Sequence, residues 1–325
     1  MANKNKINYL FLIFMINACC LISCKSSFIS KTPMQMDLDK FWSVTKKQLA
    51  AIPMEAKVEP VTEAIPYRKL KVTLRSFEGV LITAFLSLPI QGEIQNSKPW
   101  PVIVTTPGYG GSQQGVMLSE CQRGFAILQV FPRGQGESAA FYKIEGDKLT
   151  GHLEHPEGAY YQGAYADVMR MIDFVMTRKD LDSNRIALAG TSQGGGFSLA
   201  VAALDSRVKA VVAHVPFLCN FRLAAQTKSL VKNLLDKAAA NNETSFNTLD
   251  YFDPLQLAAK IHIPVLISAG GKDDVCPMPT IQSVYKQVKG KKTLKIYPEL
   301  KHTSCLDFYN ESWKWLDKNF TNKTK

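Results

Sequence analysis

From Pro101 onward the chain repeats a two-part pattern. A short, nearly unbroken apolar run ends in a turn, and a stretch with apolar residues at helical spacing follows. Residues 102–106 end at Pro107-Gly108, and 125–131 end at Pro132-Arg133-Gly134. Four more such runs cover 185–189, 208–213, 264–268 and 293–297. Helical spacing covers 161–177, 192–204, 280–288 and 306–320. Strands that are apolar on both sides must be covered on both faces, so this alternation predicts a mostly parallel central sheet between two layers of helices. Upstream, Leu38, Phe41, Trp42, Val44 and Leu49 mark an amphipathic helix over 37–51. Two strand-like runs, 70–74 and 80–88, join at Glu78-Gly79 as a hairpin. The stretch 217–250 breaks the alternation; it predicts a small helical insertion lying over the sheet's C-terminal edge as a cap. One α/β domain over 37–320 accounts for all of it.

In such a sheet ligands bind beyond the carboxyl ends of the strands. Chemistry is therefore expected at Gly108, Arg133, Ser192, Gly270 and the loop after Tyr297. Gly190-Thr191-Ser192-Gln193-Gly194 stands between a predicted strand and a predicted helix, the setting of a nucleophile elbow. The glycines allow a tight turn, and the helix N-terminus favours a developing negative charge on the group it carries. A serine is a weak nucleophile and needs a base. In the α/β-hydrolase order the acid and then the histidine follow the serine. Of the histidines after Ser192, His214 ends a strand and His262 leads into one; both are expected to be structural. His302, in the loop after the last strand, stands where the base belongs. The acid should follow the strand at 264–268, where Asp273 and Asp274 are adjacent and spacing alone leaves both open. The N–H of Gln193, next to the serine, is one expected oxyanion donor.

These motifs together resemble carbohydrate esterase family 7, the acetyl xylan esterase and cephalosporin C deacetylase group of the α/β-hydrolase superfamily. The matching residues are Arg133-Gly134-Gln135, Gly190 to Gly194 with Gln193, Val215-Pro216-Phe217-Leu218-Cys219, Asp273-Asp274-Val275-Cys276-Pro277, Tyr251-Phe252-Asp253 and the Asp37 to Trp42 segment. The resemblance covers roughly 35–320. It implies that Asp273 is the acid, that the N–H of Tyr109 is the second oxyanion donor and that its ring walls the acyl pocket. Arg133 and Gln135 read as residues that hold the elbow. The implied activity is removal of acetyl groups from acetylated xylo-oligosaccharides, and from small esters such as cephalosporin C, through an acyl-enzyme. The family's ring-like hexamers imply a homo-oligomer whose sites face an inner chamber. No metal or organic cofactor is implied. Two departures stand out. The family follows its histidine with glutamate, whereas Thr303 follows His302; and Pro107 stands where the family has a polar residue. Two alternatives differ in kind: another α/β-hydrolase, such as a dienelactone-hydrolase-like enzyme or a peptidase, and a catalytically dead binding protein. A peptidase would need a large added specificity domain, for which 35–100 is too short.

Composition adds a compartment. The 325 residues are 46% hydrophobic and 21% charged, ordinary globular values. Residues 1–24 read as a leader: Lys4 and Lys6, then an apolar run too short and interrupted to span a bilayer, then Leu21-Ile22-Ser23-Cys24. The ending resembles a bacterial lipobox, with Cys24 receiving the lipid. An exported lipoprotein anchored to a membrane, periplasmic or outer-membrane associated, is expected, with a flexible linker over 25–36. Loss of Lys4 and Lys6 with the leader takes the net charge from +11 to +9. The basic residues are scattered without aromatic interleaving, so no nucleic-acid face is expected. Of seven cysteines, Cys121, Cys219, Cys276 and Cys305 remain in the mature domain; no CxxC pair supports a zinc site, and spacing settles no disulfide.

Overall fold

The computed structural model describes residues 33–62, 67–90, 99–111 and 120–320. The leader, Cys24 and residues 25–32 lie outside these. Nine strands form one sheet: β1 (Lys57–Pro60), β2 (Arg68–Arg75), β3 (Leu81–Leu88), β4 (Trp100–Thr105), β5 (Ala126–Phe131), β6 (Leu181–Thr191), β7 (Val208–His214), β8 (Val265–Gly270) and β9 (Lys292–Tyr297), in the order β1-β2-β3-β5-β4-β6-β7-β8-β9. β1, β2 and β3 run antiparallel, and β3 pairs antiparallel with β5. From β5 through β4 to β9 every pairing is parallel. The pattern of each strand explains its place. β4, β5 and β8 are buried at every position and sit inside, whereas β2 alternates, burying Leu70, Val72 and Leu74. β1 is a polar edge strand of four residues ending in proline, with no hydrophobic period to betray it.

The two faces of the sheet carry separate cores, and successive residues of a strand serve them in turn. Val102 and Val104 of β4 face the larger core, while Ile103 faces the smaller. The larger core packs against α1 (Pro33–Ala51), α2 (Tyr160–Met176), α3 (Gln193–Leu204) and α8 (Met278–Gln287). The smaller packs against α9 (Leu306–Asn319), through Phe308, Trp313 and Leu316. α3 shows almost no amphipathic bias because nearly all its residues are buried.

Between β7 and β8 the expected insertion is four short helices: α4 (Phe221–Ala225), α5 (Leu230–Lys237), α6 (Glu243–Leu249) and α7 (Pro254–Leu257). It packs on α3 and α8. The Thr248 hydroxyl, in α6, also donates to Leu153 O in the long loop after β5. No helix among the described residues is long and apolar enough to cross a membrane.

α1 begins at Pro33, inside the stretch expected to be linker; proline suits a first helical turn, where its missing N–H costs nothing. The helix is pinned by Trp42, which is buried, stacks on Tyr165 at 5.8 Å, meets Phe252 edge-on at 6.0 Å, and donates from Nε1 to Tyr251 O at 3.0 Å. Lys260 pairs with Asp39 and Arg170 donates to Leu49 O, adding polar ties at both ends. Trp42→Ala should cost about 3–5 kcal/mol of unfolding free energy. Urea titration checks this; a loss under 1 kcal/mol would mean that α1 is not part of the core.

Candidate active site

β6 runs straight into α3, and Ser192 is the residue between them. Its φ of 56° and ψ of −120° lie outside the regions side chains normally adopt. Three backbone bonds hold it there: Ser192 N–H to His214 O at 2.9 Å, Phe217 N–H to Ser192 O at 2.8 Å, and Gly196 N–H to Ser192 O at 3.1 Å. The glycines are steric necessities. A Cβ on Gly190 would lie 2.4 Å from the Gly194 backbone, and one on Gly194 would lie 2.4 Å from Thr106 O. The elbow thus presents the Ser192 side chain above the carboxyl end of the sheet. It lies beside β4, where strand order switches direction and α/β sheets place their ligands.

The loop after β9 brings His302 over Ser192. His302 Nε2 lies 3.0 Å from Ser192 Oγ, and its Nδ1 lies 2.8 Å from Asp273 Oδ2. A carboxylate can only accept, so Nδ1 carries the proton. Nε2 of the neutral ring is then left to accept from the Ser192 hydroxyl. Asp273 is buried, and its Oδ1 accepts from the N–H groups of Val275 and Cys276 at 2.9 and 2.8 Å. Asp274 points away into an exposed pair with Lys228. Asp273, Cys276 and His302 offer metal-type donor atoms within 4.8 Å of one another. The carboxylate spends its oxygens on His302 and two backbone N–H groups, and the imidazole its nitrogens on Asp273 and Ser192.

Beneath the elbow the Gln193 side chain is fully engaged. Its Nε2 donates to Gln135 Oε1 at 3.0 Å, and Tyr161 OH donates to Gln193 Oε1 at 3.3 Å. Gln135 Nε2 in turn donates to Gly108 O at 3.1 Å. The carbonyl of Gly108 is thereby fixed, and with it the plane of the peptide whose N–H belongs to Tyr109. Gln193 opens α3, so its backbone N–H is one of the donors a helix start leaves unsatisfied.

A family model for acetyl xylan esterase (AXE1) matches residues 24–319. The chain belongs to the acetyl xylan esterase family. It is a carboxylic ester hydrolase with the α/β-hydrolase fold, a serine esterase that deacetylates xylan substrates. Among relatives, it is 26% identical to acetyl esterase Axe7A of Xylanibacter ruminicola, over 88% of this chain and 68% of that protein. The acetyl xylan esterase of Paenibacillus sp. R4 superposes with a TM-score of 0.77 at 27% identity, covering 90% of this chain and 96% of that one. Acetyl xylan esterase 1 of Thermoanaerobacterium sp. JW/SL YS485 shares the fold at a TM-score of 0.78 and 23% identity, over 88% and 94% of the two chains.

In this esterase Arg133 stands away from the serine. Its buried guanidinium forks onto Asp167 of α2, with Nε to Oδ2 and Nη2 to Oδ1 both at 3.0 Å. It also reaches Glu78 Oε2 and Phe77 O in the β2–β3 turn. Arg133 therefore bolts the loop carrying Gln135 to α2 and to the first hairpin. Tyr109 is pinned from outside: its hydroxyl donates to Asp147 Oδ1 at 2.6 Å, its ring meets Phe217 edge-on at 5.5 Å, and the Lys148 ammonium sits 4.3 Å over its face. Burial pushes the Tyr109 phenol well above its usual range, so it stays a donor.

Sequence reasoning passed over Tyr160, Tyr161, Asp147 and Asp167. They lie in a loop and on a helix with no motif, and only the fold brings them under the elbow. None of the four described cysteines, Cys121, Cys219, Cys276 and Cys305, is in a disulfide. Cys276 is buried, and burial pushes its thiol up. His214 is structural in its surroundings: buried, neutral, and with its pKa lowered to about 4, chiefly by desolvation.

Two measurements follow from these buried groups. Asp167→Ala strands the Arg133 charge and should destabilise the protein by about 3–5 kcal/mol, read by chemical denaturation; a change below 1 kcal/mol would show that the pair is not buried in solution. Because His214 binds its proton only near pH 4 when folded but near 6.5 when unfolded, acidification through that window favours the unfolded chain. Asp253, raised to about 7 by burial, works in the opposite sense, so the comparison must be made against a His214→Gln protein. The stability of wild type relative to that variant should fall by about 3 kcal/mol between pH 7 and pH 4. A flat difference would mean that His214 titrates normally.

Proposed function

We propose that Ser192 is the nucleophile of this esterase, His302 its general base and then general acid, and Asp273 the carboxylate that orients the imidazole and stabilises its charged form. The unbroken hydrogen-bond chain from Asp273 through both nitrogens of His302 to Ser192, at 2.8 and 3.0 Å, carries this reading. Ser192 Oγ attacks the acetyl carbonyl as its proton passes to His302 Nε2. The negative charge on the carbonyl oxygen is held by the N–H groups of Gln193 and Tyr109, each worth roughly 2.7–4 kcal/mol of barrier. Collapse of the tetrahedral species breaks the bond to the sugar oxygen, which leaves with the proton from His302. Water, deprotonated by His302, then attacks the acetyl-serine and releases acetate. Gln135 and Arg133 hold the frame of the oxyanion site, and the Tyr109 ring walls the acyl pocket.

The substrates we propose are small: acetylated xylo-oligosaccharides, with cephalosporin C as a further acetyl ester. Membership of the family supports this, as does its ring-like hexamer, which we propose for this chain. The pattern of residues 1–24 supports export, lipid attachment at Cys24 and a periplasmic or outer-membrane position.

The test is acetate release by the mature protein from acetylated xylo-oligosaccharide, polymeric acetyl xylan and cephalosporin C, together with labelling by a fluorophosphonate. Ser192→Ala should abolish both turnover and labelling; turnover persisting in that variant would overturn the nucleophile. Asp273→Asn should lower kcat about 10⁴-fold. Asp274→Asn, which touches only the exposed pair with Lys228, should stay within about twofold of wild type. Equal losses in the two would overturn the choice of acid.

A further inference from the structure

The loop that carries His302 is lightly held. Thr303 and Ser304 are exposed, and behind them lies an apolar cavity of about 360 Å³, bounded by His214, Cys305, Leu306 and Phe308 among others. Leu300 O accepts from Lys272 N–H, and Cys305 O accepts from Tyr309 N–H, so both ends of the loop are tied. Between them, among the described residues, the main chain of 301–304 takes one hydrogen bond, from His214 Nε2 to Thr303 O at 3.1 Å. A carbonyl only accepts, so Nε2 carries the proton. Nδ1 then accepts from the Ser268 hydroxyl at 2.5 Å, and Ser268 Oγ itself accepts from Val215 N–H at 3.0 Å. The ring is further fixed by stacking on Phe308 at 4.8 Å and 19°. The tautomer is thus set by the Thr303 carbonyl, and the ring is held in place by Ser268 of β8 and Phe308 of α9. The backbone of the same residue holds the other partner: His214 O accepts from the N–H of Ser192.

We infer that His214 is the positioning residue that sets the Ser192–His302 separation, its carbonyl fixing the serine and its ring fixing the peptide that follows the base. This rests on the proposed roles of Ser192 and His302. It also accounts for Thr303, the residue that departs from the family's glutamate: here the bond comes from the sheet to the loop's main chain and asks nothing of the side chain at 303. A misplacement of about 1 Å at such a contact costs on the order of 10²-fold in rate.

The experiment measures kcat and KM on 4-nitrophenyl acetate, the rate of fluorophosphonate labelling, and the thermal midpoint. His214→Phe keeps the stacked ring and removes both hydrogen bonds. It should lower kcat and labelling rate together by about 10- to 100-fold, with KM within about twofold. His214→Gln, whose amide N–H can reach Thr303 O, should recover most of the loss at an equal thermal midpoint. Ser268→Ala frees Nδ1 without touching the ring, covers the case in which His214→Phe does not fold, and should lower kcat severalfold with KM unchanged. A folded His214→Phe with wild-type kcat, or a Ser268→Ala protein with wild-type kcat, would overturn the inference. So would a His214→Gln protein as slow as the phenylalanine variant. Ser192→Ala run beside them separates the two ideas, because labelling that survives there removes the proposed nucleophile itself, whatever His214 does.

Discussion

The backbone of Ser192 is the constraint from which the architecture follows. A non-glycine residue at φ 56° and ψ −120° stores roughly 1–3 kcal/mol and persists only where its surroundings over-determine it. Here the surroundings are the neighbouring strand, which offers His214 O to the serine N–H, and the first turn of α3, which closes back onto Ser192 O. For those contacts to exist, β6 and β7 must lie parallel and in register, with Gly190 beside Ala213 and Thr191 beside His214. Parallel strands so placed are buried on both faces. Hence the apolar runs, the nearly fully buried α3, and the glycines that let the helix approach Thr106.

A second constraint follows. The turn needs polar support, and that support is buried. Arg133, Asp167, Gln135, Gln193 and Tyr160 are all shielded from water. A partly satisfied network at such depth would be worse than an apolar one. This one leaves little unspent: both oxygens of Asp167 take Arg133, and Gln135 spends its oxygen on Gln193 and its amide on Gly108. Such an arrangement is a poor source of net stability. Its return is rigidity at the Gly108–Tyr109 peptide, whose N–H is the second oxyanion donor proposed above.

Much of this was legible beforehand, and the limits are physical. The core strands were readable because burial on both faces forces unbroken apolar runs, and the elbow because its turn has no room for a side chain at Gly190 or Gly194. β1 was not readable: Lys57, Glu59 and Pro60 belong to an edge strand whose side chains face water, so nothing constrains its period. The choice between Asp273 and Asp274 could not come from spacing, since adjacent residues differ only in which way the turn aims them. In the structure the N–H groups of Val275 and Cys276 hold Asp273 inward, toward His302, while Asp274 pairs with Lys228 at the surface. Tyr160, Tyr161 and Asp167 share α2 and Asp147 lies in the loop before it, but their partners Gln135, Gln193, Arg133 and Tyr109 stand in other segments, and chain order carries no trace of those pairings.

The two histidines show why residue type alone stops short of mechanism. His302 and His214 lie side by side at the end of the same sheet, and each is bonded through both ring nitrogens. What separates them is the acceptor that takes the ring proton. At His302 it is the Asp273 carboxylate, a group that favours a positive charge on the ring, and the other nitrogen faces the Ser192 hydroxyl, as the proposed base requires. At His214 it is a neutral peptide carbonyl, with a hydroxyl behind and an aromatic ring alongside. Desolvation outweighs the support that the Thr303 carbonyl and nearby Asp273 give a positive charge, so burial drives the pKa down to about 4 and the ring serves as a fixed donor. In the roles proposed above, one environment makes a base and the other a strut, whose carbonyl holds Ser192 and whose ring holds the peptide after His302.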